Sequence, residues 1–290
     1  MLIFGKIKHL HSLSTVKKPL INPGWMRSLL FFATFLLMYL LLNAVYMQTI
    51  LATTLPFLYS GALVFAVAAV LIVPVFVVHV DAQSLQSLGF SLKGRLKDAA
   101  TGAMLAVALL VVTSLILIGT SNLTLRPGIP SVGNLFSGFA IMCIVAFAEE
   151  TVFRGYILGN LLLSFNRWIA LFLSAFLFSF VHTSNPGISL AATGNVFLAG
   201  LLLGVNYVFT RNLWFGICFH LAWNFVQGPV LGFNVSGLQH EGIFNASVSG
   251  NRFITGDPFG PEGSVIVTIL LVTSVVLLKR YYETHRYVSK

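Results

Sequence analysis

Apolar residues run through this chain in stretches of about 20, the length a helix needs to cross a hydrocarbon layer roughly 30 Å thick. The stretches fall near residues 29–51, 56–80, 99–119, 135–163, 167–184, 188–209, 212–232 and 264–279, bounded by charges, Pro, Gly and Asn. They predict an all-α, polytopic transmembrane helix bundle of about eight spans. Pro74 lies inside the second stretch and predicts a kink there. No tandem repeat interrupts the pattern. The one long connection, near 233–263, is rich in Gly, Asn and Pro and reads as an ordered exterior loop.

The charges orient the bundle. The segments placed inside hold Lys6, Lys8, Lys17, Lys18, Arg27, Lys93, Arg95, Lys97, Arg167, Arg211, Lys279, Arg280, Arg286 and Lys290, out of 17 basic residues in all. The outside segments hold only Arg126 and Arg252, and the long exterior loop carries Glu241, Asp257 and Glu262. Basic residues gather on the cytoplasmic side of membrane proteins, so both termini are expected to be cytoplasmic. The net charge of +9 therefore points to anionic lipid headgroups and not to nucleic acid. Composition agrees: 57% of the 290 residues are hydrophobic and 9% are charged, against about a quarter charged in soluble domains.

Four regions follow. Residues 1–28 form a basic cytoplasmic segment and 29–134 the first spans. Residues 135–232 hold the polar residues treated next, and 233–290 the exterior loop, last span and basic tail. The first apolar run is too long for a signal peptide and is expected to stay in the membrane. The lack of transit features and the short tails fit an integral, multi-pass protein of a bacterial plasma membrane. Cys143 and Cys218 both lie in spans, where thiols behave as small hydrophobes.

Three apolar runs contain polar residues that a bilayer penalises by roughly 2.5–3.5 kcal/mol per charge on insertion scales. Glu150 and Arg154 are one turn apart and share a helix face, whereas Glu149 points about 100° away. That geometry gives Glu150 to an ion pair with Arg154 and leaves Glu149 to face a cavity as general base or ligand. Phe178 and His182 share a face of the next run, and His220 and Asn224 share one beside Trp223. Helix rise places these groups about 13–25 Å from the cytoplasmic markers, close enough in depth for three helices to share one site.

A carboxylate, two histidines and a carboxamide can activate a water and stabilise an oxyanion, the requirements of amide hydrolysis. Other proteolytic patterns are missing. His240-Glu241 is followed by Gly-Ile-Phe in place of a His-Glu-x-x-His helix, no Gly-x-Ser-x-Gly occurs, and no Asp lies in a span. Buried ion pairing and interhelical hydrogen bonding are the purely structural alternative for the same residues.

The three patterns, Glu149-Glu150-Thr151-Val152-Phe153-Arg154, Phe178-Ser179-Phe180-Val181-His182 and His220-Leu221-Ala222-Trp223-Asn224, resemble those of the CAAX-protease and bacteriocin-processing family. That family of intramembrane endopeptidases includes the type II CAAX prenyl endopeptidases. The resemblance implies that Glu149 and His182 activate the hydrolytic water, that His220 and Asn224 stabilise the oxyanion, and that Glu150 and Arg154 shape the site. It implies a membrane-associated, prenylated or otherwise apolar peptide as substrate, and membrane lipid as surroundings. It leaves two catalytic types open, a metalloendopeptidase with a divalent metal such as zinc and a metal-free glutamate enzyme. The Phe259-Gly260-Pro261-Glu262-Gly263 run also looks like bacterial members. Two other functions use the same features: a non-catalytic membrane immunity or scaffolding protein of the same fold, and an ion-coupled transporter with the Glu pair as coupling site.

Overall fold

The computed structural model describes residues 18–49 and 57–285. The expectations for the extreme N-terminus, for the 50–56 connection and for the last five residues of the tail lie outside them.

Among the described residues eight α-helices of 12 residues or more follow in chain order: α1 (Gly24–Tyr46), α2 (Phe57–Val75), α3 (Leu96–Gly119), α4 (Val132–Glu150), α5 (Arg167–Val181), α6 (Leu190–Thr210), α7 (Trp214–Phe225) and α8 (Val265–His285). α4 continues through a π-helical segment, Thr151–Leu158, to Leu161. Among the described residues seven helical stretches are long and apolar enough to cross a membrane, with Ser60–Val80, Val132–Leu161 and Arg167–Ser184 among them. The seventh predicted stretch, 212–232, is the one not among them and corresponds to α7, whose 12 residues are extended by a π-helical turn at Val226–Val230. α7 can be short because it is an interior element, packed on α3, α4 and α6. Large apolar side chains such as Leu40, Val70, Leu115, Phe136, Phe172 and Ile269 stay exposed around the bundle, as a lipid-facing belt requires. The protein is an integral, multi-pass membrane protein.

Local chemistry sets the helix ends. Ser131, Asn166 and Ser189 cap α4, α5 and α6, their side-chain oxygens accepting the orphan amides of Asn134, of Trp168 and Ile169, and of Ala192. Asn212 does the same for Trp214 while donating to the carbonyls of Gly89 and Ser91. Pro74 lies near the end of α2, and the helix widens immediately afterwards into a π-helical turn, Phe76–Val80.

The connections sort into two groups at opposite ends. At one end the amide of Trp25 donates to Ser164 Oγ, Arg27 pairs with Asp81 at 3.2 Å, and Arg95 donates to the carbonyl of Thr210. At the other end strand β1 (Leu123–Pro127) pairs antiparallel with β2 (Phe244–Val248), Leu123 opposite Val248. The 3₁₀ turn after α5 and the 233–263 segment meet there too, where the amide of Gly237 donates to the carbonyl of Phe259. The two-stranded sheet departs from the helix-only expectation. Its strands have five residues each and lie in connections whose Gly and Asn content masked them.

One core runs through all eight helices. Its tightest part stacks Phe31 on Tyr156 at 4.1 Å with Phe76 edge-on. Without a hydrophobic drive in lipid, close packing of small residues replaces it. Gly200 and Gly204 serve this purpose on α6, since a Cβ there would meet Ala175 at 3.0 Å and Leu171 at 2.4 Å on α5.

Candidate active site

The Glu pair sits at the last turn of α4, where the helix widens into its π-helical segment, a rare form that recurs at functional sites. Arg154 Nη1 donates to Glu150 Oε1 at 2.9 Å, with both side chains buried. Arg154 Nη2 reaches the Gly200 carbonyl at 3.2 Å, and the guanidinium lies 4.2 Å over the Phe178 ring. The arginine thus has an anion, a carbonyl dipole and an aromatic face in place of water. Glu150 also depends on Gly216 of α7, because a Cβ at that position would lie 2.7 Å from Glu150 Oε2.

The two histidines close on this pair from α5 and α7. His182 stands at the C-cap of α5, and its Nδ1 is 2.7 Å from the carbonyl of Phe178. A carbonyl only accepts, so Nδ1 carries the proton and a neutral His182 presents the Nε2 lone pair. That Nε2 lies 3.8 Å from Glu149 Oε2. His220 Nδ1 lies 3.2 Å from Glu150 Oε1, and its Nε2 lies 3.9 Å from the same Glu149 Oε2. His220 therefore touches both carboxylates, one at each ring nitrogen. Glu149 Oε2 is buried without a hydrogen-bond partner among the described residues. Phe178 fills the angle between Arg154, His182 and His220, with ring centres 4.6 Å and 6.4 Å from the two imidazoles.

A cleft of about 50 Å³ opens beside the histidines, room for a few waters. Phe178, His182, His220, Trp223 and Asn224 line it, with Asn195 from α6. The structure thus brings Glu149, Glu150, Arg154, His182 and His220 into one contact network and sets Asn224, buried, in the wall of the adjoining cleft.

Glu262 lines the same cleft and was not singled out by the sequence as a site residue. Its Oε2 accepts from the backbone amide of Ser236 at 2.6 Å and from Ser236 Oγ at 3.3 Å, and its Oε1 accepts from Trp223 Nε1 at 3.2 Å. Burial raises its pKa above the ordinary carboxylate range, while these hydrogen bonds oppose the rise. The signal that could have found it is its Gly-Pro-Glu-Gly setting. Gly260 sits at φ 102°, and a Cβ there would meet the Asn234 carbonyl at 2.2 Å, so the turn carrying Glu262 is built for close approach.

Two imidazoles and a carboxylate are the right donor types for zinc, but no group of three His, Cys, Asp or Glu among the described residues is disposed to hold a metal ion. Ligands on a tetrahedral zinc with bonds of about 2.0–2.1 Å lie roughly 3.3 Å apart. The separations of 3.8 and 3.9 Å at Glu149 are wider.

A nearly all-helical membrane bundle with carboxylates, an arginine and two histidines gathered from three helices is the class these observations define. Residues 131–226, from the N-cap of α4 to the first residue beyond α7, match the family model described as "Type II CAAX prenyl endopeptidase Rce1-like". The resemblance carried by the three sequence patterns is thereby borne out over that stretch. No curated protein matches the chain.

Proposed function

We propose that this protein is an intramembrane endopeptidase that hydrolyses a peptide bond of a membrane-associated, apolar or lipidated peptide. One observation carries the reading most. Glu149 Oε2, buried and lacking a hydrogen-bond partner, lies nearly equidistant from His182 Nε2 and His220 Nε2. Hydrogen bonds of about 2.8 Å from one water place its two acceptors about 4.5 Å apart, so Glu149 and His182, 3.8 Å apart, part by several tenths of an ångström to admit the water between them.

In this mechanism a water donates one proton toward Glu149 and the other toward the free lone pair of His182. Attack on the scissile carbonyl transfers the water's proton to that pair and forms a tetrahedral oxyanion. Asn224 donates its amide N–H to the oxyanion. His220 joins it when Nε2 carries a proton, its Nδ1–H remaining on Glu150. Collapse breaks the C–N bond, and the stored proton passes to the leaving amine. Glu150, Arg154 and Phe178 position His220 and take no part in proton transfer.

The test is a comparison of membrane-associated peptides in cells carrying wild type and Glu149→Gln. Peptides that appear only with wild type are the expected result. An unchanged peptide pattern, with both proteins present at equal level, would sink the reading.

A further inference from the structure

We infer that the cleft is served from the end of the bundle opposite the basic residues, so that the substrate is a peptide segment presented at the exterior face of the membrane. The inference builds on the peptidase reading and names the side from which its substrate comes.

The cleft runs from the ends of elements that meet at one face of the bundle toward the middle of α6, where Ala199 and Leu203 line it. His182 ends α5, Asn195 lies in the first turns of α6, and Val267 lies in the first turn of α8. Ser236 and Glu262 come from the long segment between α7 and α8. This is the end tied together by β1 with β2 and by the Gly237 amide on the Phe259 carbonyl. In the other direction the site is sealed. Glu150 is fully buried, the space beside its carboxylate is too tight for a side chain at Gly216, and its chain neighbours Phe153 and Arg154 are buried with it.

Charge gives the two ends their sides. Lys93, Arg95 and Lys97 precede or open α3, Arg167 opens α5, Arg211 caps α6, and Lys279 and Arg280 lie in the last turns of α8. All of these belong to the sealed end. The cleft end carries Arg126 and Arg252, together with Glu241 and Glu262. By the positive-inside rule the sealed end faces the cytoplasm and the cleft faces out. A cytoplasmic prenylated tail is therefore on the wrong side of the site. A peptide anchored in, or exported through, the membrane and exposed at its outer surface is on the right one.

Cysteine accessibility in intact cells tests this without any turnover. In the full chain with Cys143→Ser and Cys218→Ser, Ser236→Cys reports the cleft, Gln239→Cys its exposed neighbour, and Lys93→Cys the basic end. A membrane-impermeant maleimide is expected to label Ser236→Cys and Gln239→Cys at least about 10-fold faster in intact cells than in inverted vesicles. Lys93→Cys should show the reverse preference. Labelling of Ser236→Cys only in inverted vesicles would overturn the inference. Labelling from neither side would overturn it too, since the cleft would then be reached through lipid alone. If Ser236→Cys fails to accumulate, Gln239→Cys decides by the same criterion. Because labelling needs no substrate, it fails independently of the peptidase reading, which stands or falls with the Glu149→Gln peptide comparison.

Discussion

α4 and its extension hold two buried polar clusters, and they differ in one respect. Toward the basic end, Asp81 Oδ1 accepts from Tyr156 OH at 3.0 Å and pairs with Arg27 Nη1 at 3.2 Å, while Oδ2 accepts from Asn160 Nδ2 at 2.9 Å. Both oxygens of that carboxylate are satisfied, and the atom left over, Arg27 Nε, is a donor. At the Glu pair the leftover atoms are acceptors, Glu149 Oε2 and Glu150 Oε2, and two imidazole nitrogens face one of them. A closed cluster fastens α1 and the α2–α3 connection to α4. A cluster with surplus acceptors beside a cleft is suited to hold and deprotonate a water. Burial and ion pairing alone do not separate the two; the balance of donors against acceptors does.

Exchanging charge for a neutral amide in each cluster should break the comparison most sharply. Glu149→Gln is expected to cut peptide cleavage by a factor of about 10²–10⁴, the range for losing a general base, while the melting temperature stays within a few degrees. Asp81→Asn should do the opposite. It leaves Arg27 buried without its anion, a loss of about 3–5 kcal/mol, with the rate per folded molecule little changed. Thermal melts and a cleavage assay on the same two preparations decide it. Equal stability loss from both changes would mean the clusters are the same kind of object.

Next in size is the ion pair within the site. Arg154→Met strands Glu150 in the core and is expected to destabilise by about 3–5 kcal/mol, and Glu150→Gln in the same chain should restore part of that. Cleavage should not return with stability, because His220 would still lack the carboxylate at its Nδ1. A double variant that recovered both would show that Glu150 serves only Arg154. Smaller again is Gly216→Ala, which would push a methyl to within 2.7 Å of Glu150 Oε2. A destabilisation of about 1–3 kcal/mol is expected from the overpacking. A roughly 10-fold fall in rate should accompany it as His220 is displaced, and KM should change less than kcat.

What the sequence made legible follows the reach of its rules. Apolar runs about 20 residues long located the eight long helices among the described residues, and the i,i+4 rule anticipated the Glu150–Arg154 pairing on one face. The two motif histidines were assigned to separate helices, but no periodicity relates residues 70 apart, so the contact of His220 with Glu150 was invisible. The closed cluster was invisible for a similar reason. Tyr156 and Asn160 fall inside the apolar run 135–163 and Asp81 just past the run 56–80, and no spacing rule links them. Glu262 was hidden further, because a loop charge is ordinarily solvated and only the folded path of the 233–263 segment brings this one back under Trp223.

That same segment provides the smallest expected effect. The His240 ring packs where Gly228 of the α7 extension has no side chain; a Cβ there would lie 2.8 Å from the ring. Burial lowers the His240 pKa to about 4, with Nε2 lacking a hydrogen-bond partner among the described residues. A depressed folded-state pKa means that the fold favours neutral imidazole. The contribution is complete above the ordinary value of about 6.5 and is lost as pH falls toward 4. On the order of 1–3 kcal/mol should disappear across that window, mainly from the packing of the 233–263 segment on α7. Limited proteolysis of the 233–263 segment at pH 7 and pH 4.5 reads it directly, with faster cutting expected at the lower pH. His240→Leu keeps an apolar body against Gly228 and removes the titration, so its cutting rate should lose most of that pH dependence. An undiminished acid effect in His240→Leu would assign the sensitivity to Glu262, and the 233–263 segment would then be held by that carboxylate and not by a buried neutral ring.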